Sequence, residues 1–337
     1  MFKRTAVRWA CHPCSLQQVE HRRNARQSPT VCSITTHRLG AHNLILAMIA
    51  LAVFARSGQT QTVGVTRCSA GVHEAEATGT VFFPQDHIFC PLLADPKEPR
   101  TFLSYQRGEF GTVADPSGKD TNIGSIGVGD TFGLVRWGGT RPGEGAQLDA
   151  FGSIFAQFDL GAPSTDLINA DYLVGFPLTI RRRGFSARIR VYHQSSHLGD
   201  EFLLRGQKIR RENLSFESVE LLLSQEIGPL RVYAGGEDLF RREPDALAPQ
   251  LVHGGLEFRQ GSAGSWRFVA AGDVKATRQH DWSPATSVRT GVEVARSGGG
   301  YPARAALMLE LYKGPSPYGQ FFQDDIKYIG IGLHLGF

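Results

Sequence analysis

From about residue 100 to its end, the chain repeatedly alternates apolar and polar side chains with a period of two. That period belongs to an extended strand, in which successive side chains point to opposite faces. In residues 146–158, Leu148, Ala150, Gly152, Ile154, Ala156 and Phe158 share one face, while Gln147, Asp149, Ser153 and Gln157 share the other. No stretch carries the apolar spacing of an amphipathic helix, so the fold class is all-β. Read this way, the sequence predicts about twelve strands, near 101–108, 131–138, 146–158, 168–181, 185–197, 213–224, 230–241, 250–260, 266–277, 286–296, 303–313 and 327–337.

Many alternating strands can build a soluble sandwich or a membrane barrel, and the connections decide between them. With both ends of the barrel chain in the periplasm, the connections on that side are short: GGTRPGE, RRG, QEIGP, QGSAG and SGGGYP. The opposite side carries longer ones, including residues 109–130, 198–212 and 314–326. Short periplasmic turns, longer external loops and an even strand number predict a transmembrane antiparallel β-barrel, because closure leaves no unpaired edge in lipid. In the last strand, Ile329, Ile331, Leu333, Leu335 and the terminal Phe337 form one apolar face. A terminal aromatic after such alternation resembles the signature by which barrel assembly machinery recognises outer-membrane proteins. A twelve-strand barrel leaves a narrow polar lumen, for which Arg188, Arg190, Glu220, Glu237 and Lys275 are the expected lining.

The N-terminal third reads differently. Residues 44–54, LILAMIALAVF, have the length of a signal-peptide core, well short of the ~20 apolar residues of a membrane-spanning helix. The expected organisation is an overextended N-terminus over 1–43, a signal core and cleavage region over 44–59, a periplasmic lead-in over 60–99 and the barrel over 100–337. Cys11 and Cys14 form a CxxC with no second pair at zinc spacing. Once the signal is removed, Cys68 and Cys90 remain, an even number compatible with a disulfide in an oxidising compartment. Composition agrees with a secreted β protein: 39 glycines and 21 phenylalanines favour strands and turns. The formal net charge of +4, with arginines scattered apart from Arg181–Arg183, excludes a nucleic-acid partner and leaves membrane lipids. Tyr192, Trp266, Trp282 and Tyr312 are candidates either for interfacial belts or for interior packing.

One stretch carries possible chemistry. In residues 185–197, Phe185, Ala187, Ile189, Val191, His193, Ser195 and His197 share the apolar, lipid-facing side, and Arg188, Arg190, Tyr192, Gln194 and Ser196 the other. If Val191 lies opposite Val219 on the next strand, then Ile189 meets Leu221, Ser195 meets Ser215 and His193 meets Glu217. Directly opposed side chains have Cβ atoms ~4.5–5.5 Å apart, within reach of a His–Glu hydrogen bond. Ser195, His193 and Glu217 would then supply nucleophile, base and orienting acid.

This His-x-Ser pattern resembles outer-membrane phospholipase A and the lipid A deacylases, barrels with a His-x-Ser pair on the outer surface and an Asn or acid on the neighbouring strand. The resemblance implies a serine esterase acting on phospholipid or lipid A in the outer leaflet, and it makes Asn213 the alternative orienting residue. No cofactor is required. Asp200 and Glu201, in an external loop, offer oxygen ligands of the kind Ca2+ takes, although adjacent carboxylates are usually only solvated. A longer resemblance runs from about residue 85 to the end. CPLLADPKEPR, FAQFDL, LINADYLVGFPLTIR, YHQSSHLGDEFLLR, LSFESVELLLS, GPSPYGQFF and GLHLGF are similar to the domain of unknown function 1207 family, bacterial proteins expected at the outer membrane. That resemblance implies a bacterial outer-membrane location and no particular activity. The competing expectation is a non-enzymatic barrel, either a narrow channel or a structural protein.

Overall fold

The computed structural model describes residues 79–85, 87–113, 120–141, 143–204, 212–260, 266–295 and 304–336. The expected signal region 44–59, Cys11, Cys14, Cys68 and Phe337 lie outside the described residues. The described strands are β1 (Gly79–Phe82), β2 (Thr101–Glu109), β3 (Thr121–Gly138), β4 (Gly145–Asp159), β5 (Asp166–Arg182), β6 (Phe185–Leu198), β7 (Leu214–Ile227), β8 (Leu230–Glu243), β9 (Gln250–Gln260), β10 (Trp266–Thr277), β11 (Pro284–Ala295), β12 (Arg304–Pro315) and β13 (Asp325–Leu335). Among the described residues, α1 (Asp200–Leu204) is a single short helix turn, and no helix is long and apolar enough to cross a membrane.

Each strand from β2 to β13 pairs antiparallel with the next, and β13 closes back on β2 through pairs such as Leu333 with Leu103. The result is a closed twelve-strand barrel, with β1 added beside the far end of β3. Closure satisfies every ladder, which is why a membrane accepts the fold. Exposed Ile189, Val191, Leu221, Leu223, Ile329, Ile331 and Leu333 belong to a continuous apolar exterior. Such a surface on an aqueous monomer would be an aggregation hazard, whereas lipid accepts it.

One expected boundary moves. β3 begins at Thr121, ten residues before the expected 131, so the preceding external loop is shorter than the expected 109–130. Glycines and small polar residues in TNIGSIGVGD hide the alternation there. Gly127 is required by packing: a Cβ on it would sit 2.3 Å from the Phe102 ring.

Of the segment expected as a lead-in over 60–99, the described residues form β1 beside β3 and then, from His87 onward, run with Arg100 through the lumen. Leu92, Ala94 and Asp95 have no exposed surface. Polar strand side chains hold its backbone: Arg231 Nη1 donates to Cys90 O at 2.8 Å, Arg289 Nη1 to Leu93 O at 2.9 Å, and Leu93 N to Glu257 Oε1 at 2.7 Å. The five expected lumen residues all belong to this interior. Arg188 donates to Glu98 Oε1 at 2.6 Å and Glu220 Oε1 at 3.0 Å, Arg190 donates to Glu220 Oε2 at 2.6 Å, and Lys275 donates to Asp95 Oδ1 at 2.7 Å. Glu237 accepts from Ser218 Oγ at 2.6 Å and from the Tyr192 hydroxyl. The Phe89 ring lies between two guanidinium groups, 4.4 Å from Arg188 and 4.6 Å from Arg231.

Burial by itself would raise the carboxyls of Asp95 and Glu98, but the facing cations prevail, Lys275 for Asp95 and Arg188 for Glu98. Both carboxyls stand below the usual carboxylate range. Burial together with neighbouring Arg289 pulls Arg100 down to about 9. Cys90 is disulfide-bonded.

At the external end lies an apolar cluster that includes Phe110, Ile168, Phe202 of α1, Tyr318 and Phe321, with Phe202 and Phe321 edge to face at 5.9 Å. The four aromatics divide by face. Tyr192 and Tyr312 are buried inside, while Trp266 and Trp282 are exposed.

Candidate functional site

The site is positioned by β6 and its two neighbours. The β5–β6 hairpin turns on Arg183 and Gly184, both at positive φ (50° and 81°), as a two-residue turn of matching twist requires. That turn sets the register of β6 on β5. On the other side, where the connection is long, register follows from the faces: Ile189 pairs with Leu221 and Val191 with Val219 outside, and Arg190 pairs with Glu220 inside. A one-residue slip would expose the arginines to lipid and bury the aliphatic side chains among charges.

This register places His193 opposite Glu217 and Ser195 opposite Ser215. His193 Nδ1 and Glu217 Oε1 are 3.1 Å apart. Both side chains are partly accessible, 40 % for His193 and 28 % for Glu217, so the pair is open to the surroundings. With Nδ1 turned to the carboxylate, Nε2 is left for another partner, the orientation a serine-activating histidine requires. Ser195 lies two residues along the same outward face, ~6.8 Å away along the backbone. Its Oγ makes no hydrogen bond to His193 among the described residues. Rotation about χ1 is the movement that would join them, and such bonds commonly tighten only when substrate binds.

The remaining expected residues are dispersed. His197 faces outward with its ring edge-on to Tyr172 at 5.8 Å. Asn213 precedes β7 on an exposed position, beyond the last β6–β7 pair of Ser196 with Leu214, and is not opposite His193. Asp200 and Glu201 are exposed in the first turn of α1, a position that helix-terminal polarity favours for acids. Among the described residues, no group of three or more His, Cys, Asp or Glu side chains forms a metal cluster. Ser196 turns inward, donating to Asp171 and accepting from Gln320 N at 3.1 Å.

Two features escaped the sequence reading. The first is a cavity of about 180 Å3 at the external end of the lumen, lined among others by Lys97, Tyr192, Leu214, Glu237 and Lys275. Its walls come from distant strands and loops, so no local pattern announces it. The second is Arg241, whose Nη1 lies 3.7 Å from the Glu217 oxygen that faces His193. The signal for it was a break in the alternation at Leu239-Phe240-Arg241-Arg242.

Comparison with known proteins agrees with the architecture. The model of the family described as Protein of unknown function (DUF1207) matches residues 50–337. No curated protein gives a significant match. Outer membrane phospholipase A from Escherichia coli is similar with a TM-score of 0.50 at 13% identity, covering 75% of this chain and 95% of that one. The Salmonella typhi outer membrane phospholipase (OMPLA), solved as a dimer with bound calcium, gives a TM-score of 0.48 at 14% identity, covering 72% and 94%. At 13% identity the likeness to the Escherichia coli protein is one of fold alone.

Proposed function

The chain belongs to a family of proteins of unknown function, DUF1207, and since membership brings no activity with it, we infer one from the chemistry of the outward site: hydrolysis of acyl esters in the outer leaflet of the bacterial outer membrane. The observation that carries this reading is the 3.1 Å contact between His193 and Glu217 on the lipid-facing side, with Ser195 next along the same face. A carboxylate on that face is costly unless it has partners and lies near the interface. Glu217 has two, His193 and Arg241, and sits toward the external end of its strand.

In the proposed reaction, Ser195 Oγ attacks the carbonyl carbon of a lipid ester as its proton passes to His193 Nε2. The tetrahedral intermediate collapses when the alkoxide leaves, taking that proton from His193. Water, deprotonated by the same imidazole, then attacks the acyl-serine carbonyl, and the fatty acid is released as the imidazolium returns that proton to Ser195 Oγ. Glu217 holds the ring with Nδ1–H towards itself and stabilises the imidazolium formed in each half. The substrates are phospholipid or lipid A. Insertion through the barrel assembly machinery, guided by the alternating apolar sequence of residues 329–337, belongs to the same proposal.

The competing reading is a non-enzymatic structural barrel, and the missing Ser195–His193 hydrogen bond favours it. The narrow-channel version has less support, because residues 87–100 occupy the lumen. Fatty-acid release from phospholipid and lipid A by the detergent-purified protein decides between these readings. The hydrolase reading expects Ser195→Ala to lower the rate by ~10³-fold or more, and unchanged release in that variant removes Ser195 from the mechanism.

A further inference from the structure

β8 does not pair evenly with β7. Glu217 is opposite Arg241 and Ser218 is opposite Leu239, which leaves Phe240 as an extra, unpaired residue. A β-bulge of this kind re-aims the side chains beside it. Leu239 is buried on the inward side and Phe240 is 58 % exposed, so regular alternation would have sent Arg241 into the lumen. With the bulge, Arg241 follows Phe240 outward, where 81 % of its side chain is accessible.

An arginine brought to the outer face has to be accommodated there. Its one ion pair among the described residues is the 3.7 Å approach to Glu217 Oε1, longer than a charge-assisted hydrogen bond. Five N–H donors in a planar fork are therefore available beside the His193–Glu217 pair. A guanidinium in this state matches a phosphate group, which it can bind through two parallel hydrogen bonds. The neighbouring outward acids, Glu217 and Glu243, make the site unsuited to an anion unless a cation stands among them.

We propose that Arg241 is the positioning residue of this site: it binds the phosphate of an acylated phosphate ester and so sets one of that lipid's ester carbonyls over Ser195. This rests on the hydrolase reading for the ester, but the phosphate contact itself does not. β6 and β8 are two strand spacings apart, ~4.8 Å each, and the arginine leans back over Glu217 on the strand between them. In glycerophospholipids and in lipid A alike, the phosphate lies only a few bonds from an acyl ester, a match to that span. When phosphate takes the guanidinium, Glu217 Oε1 is left to His193 alone, so binding of the headgroup also completes the orientation of the base.

The test uses the full-length protein in detergent with non-hydrolysable probes: a dialkyl-ether phosphatidylglycerol and the corresponding neutral dialkylglycerol. Arg241→Gln is expected to weaken binding of the ether phospholipid by about tenfold relative to the neutral lipid, and Arg241→Lys to restore part of the difference. In turnover, the ratio of kcat/KM for phospholipid to that for diacylglycerol falls by a similar factor, carried by KM more than kcat. Competition by lipid A and by inorganic phosphate identifies the phosphate source, since the source that Arg241 serves is the one whose competition is lost in Arg241→Gln. A binding ratio unchanged in Arg241→Gln overturns the proposal. Should the wild type bind the ether phospholipid in an Arg241-dependent way yet release no fatty acid, the hydrolase reading fails and the phosphate site stands. A heat-dependent shift on denaturing gels, equal in both variants, shows that the barrel is closed in each.

Discussion

Arg188, Arg190, Glu98 and Glu220 inside the barrel, and His193, Glu217 and Arg241 on its outer surface, are both sets of cations facing carboxylates, and β6 contributes to both. Inside, each carboxylate meets two guanidinium groups and all four side chains are at least nine-tenths buried. Outside, a single carboxylate, Glu217, faces His193 at 3.1 Å and Arg241 at 3.7 Å, and the groups remain accessible. Buried charge pairs hold a structure in one arrangement, because removing a partner leaves a buried charge under-compensated. Under-coordinated, accessible groups keep capacity for a substrate. The inner set is therefore fixed by burial, while the outer set keeps the accessibility that the proposed chemistry needs.

The widest separation is expected from a matched pair of variants. Glu220→Ala leaves Arg188 and Arg190 to share Glu98 alone and should cost about 3–5 kcal/mol of stability, visible as a lowered thermal midpoint in detergent. Ser195→Ala should leave that midpoint within about 0.5 kcal/mol of wild type while abolishing ester release. Equal thermal shifts would break the distinction between the two sets.

Glu217→Gln tests the outer set more finely. The amide keeps the shape but loses the charge that stabilises an imidazolium, so release should fall by about 10²–10⁴-fold with a stability change below about 1 kcal/mol. A large stability loss without a rate effect would return Glu217 to a structural role.

Acid pH probes the inner set. Asp95 and Glu98 have folded pKa values below the ~4 of an unfolded carboxyl. The folded state thus binds fewer protons than the unfolded state. Their contribution is fully present above about pH 4 and is lost as pH falls through the lower folded values. Thermal midpoints measured from pH 7 to pH 3 should be flat above pH 4 and decline below it. Glu98→Gln should flatten the decline.

The smallest effect is expected on the lipid face. Val191→Ala shortens an outward side chain that stands opposite Phe176 and Val219, and should cost less than about 1 kcal/mol, against more for a change in the lumen.

Much of the fold is legible in the sequence. The twelve barrel strands follow from alternation, and the pairing of His193 with Glu217 follows from matching Ile189 and Val191 to Leu221 and Val219. β3 was only half legible, because Gly124, Gly127 and Gly129 replace the apolar signal with close packing. The lead-in was misplaced relative to the barrel because its partners are remote: Asp95 and Lys275 are 180 residues apart. Within the site, His193, Ser195 and Glu217 are legible in strand periodicity, while Arg241 is announced only by a break in the alternation over Leu239–Arg242, which does not say to which face it turns. One unpaired residue, Phe240, reverses its direction, and a bulge is defined only by the partner strand.

The sequence by itself determined the barrel, its two faces and the side of β6 on which His193 and Ser195 stand, because side-chain direction along a strand is a local property with a period of two. Only the tertiary structure decided that residues 87–100 fill the lumen, that Asn213 is too far along to orient the histidine, and that Arg241 joins the outer site. Each of those depends on which distant backbone lies alongside, and closure of the sheet is what settles it.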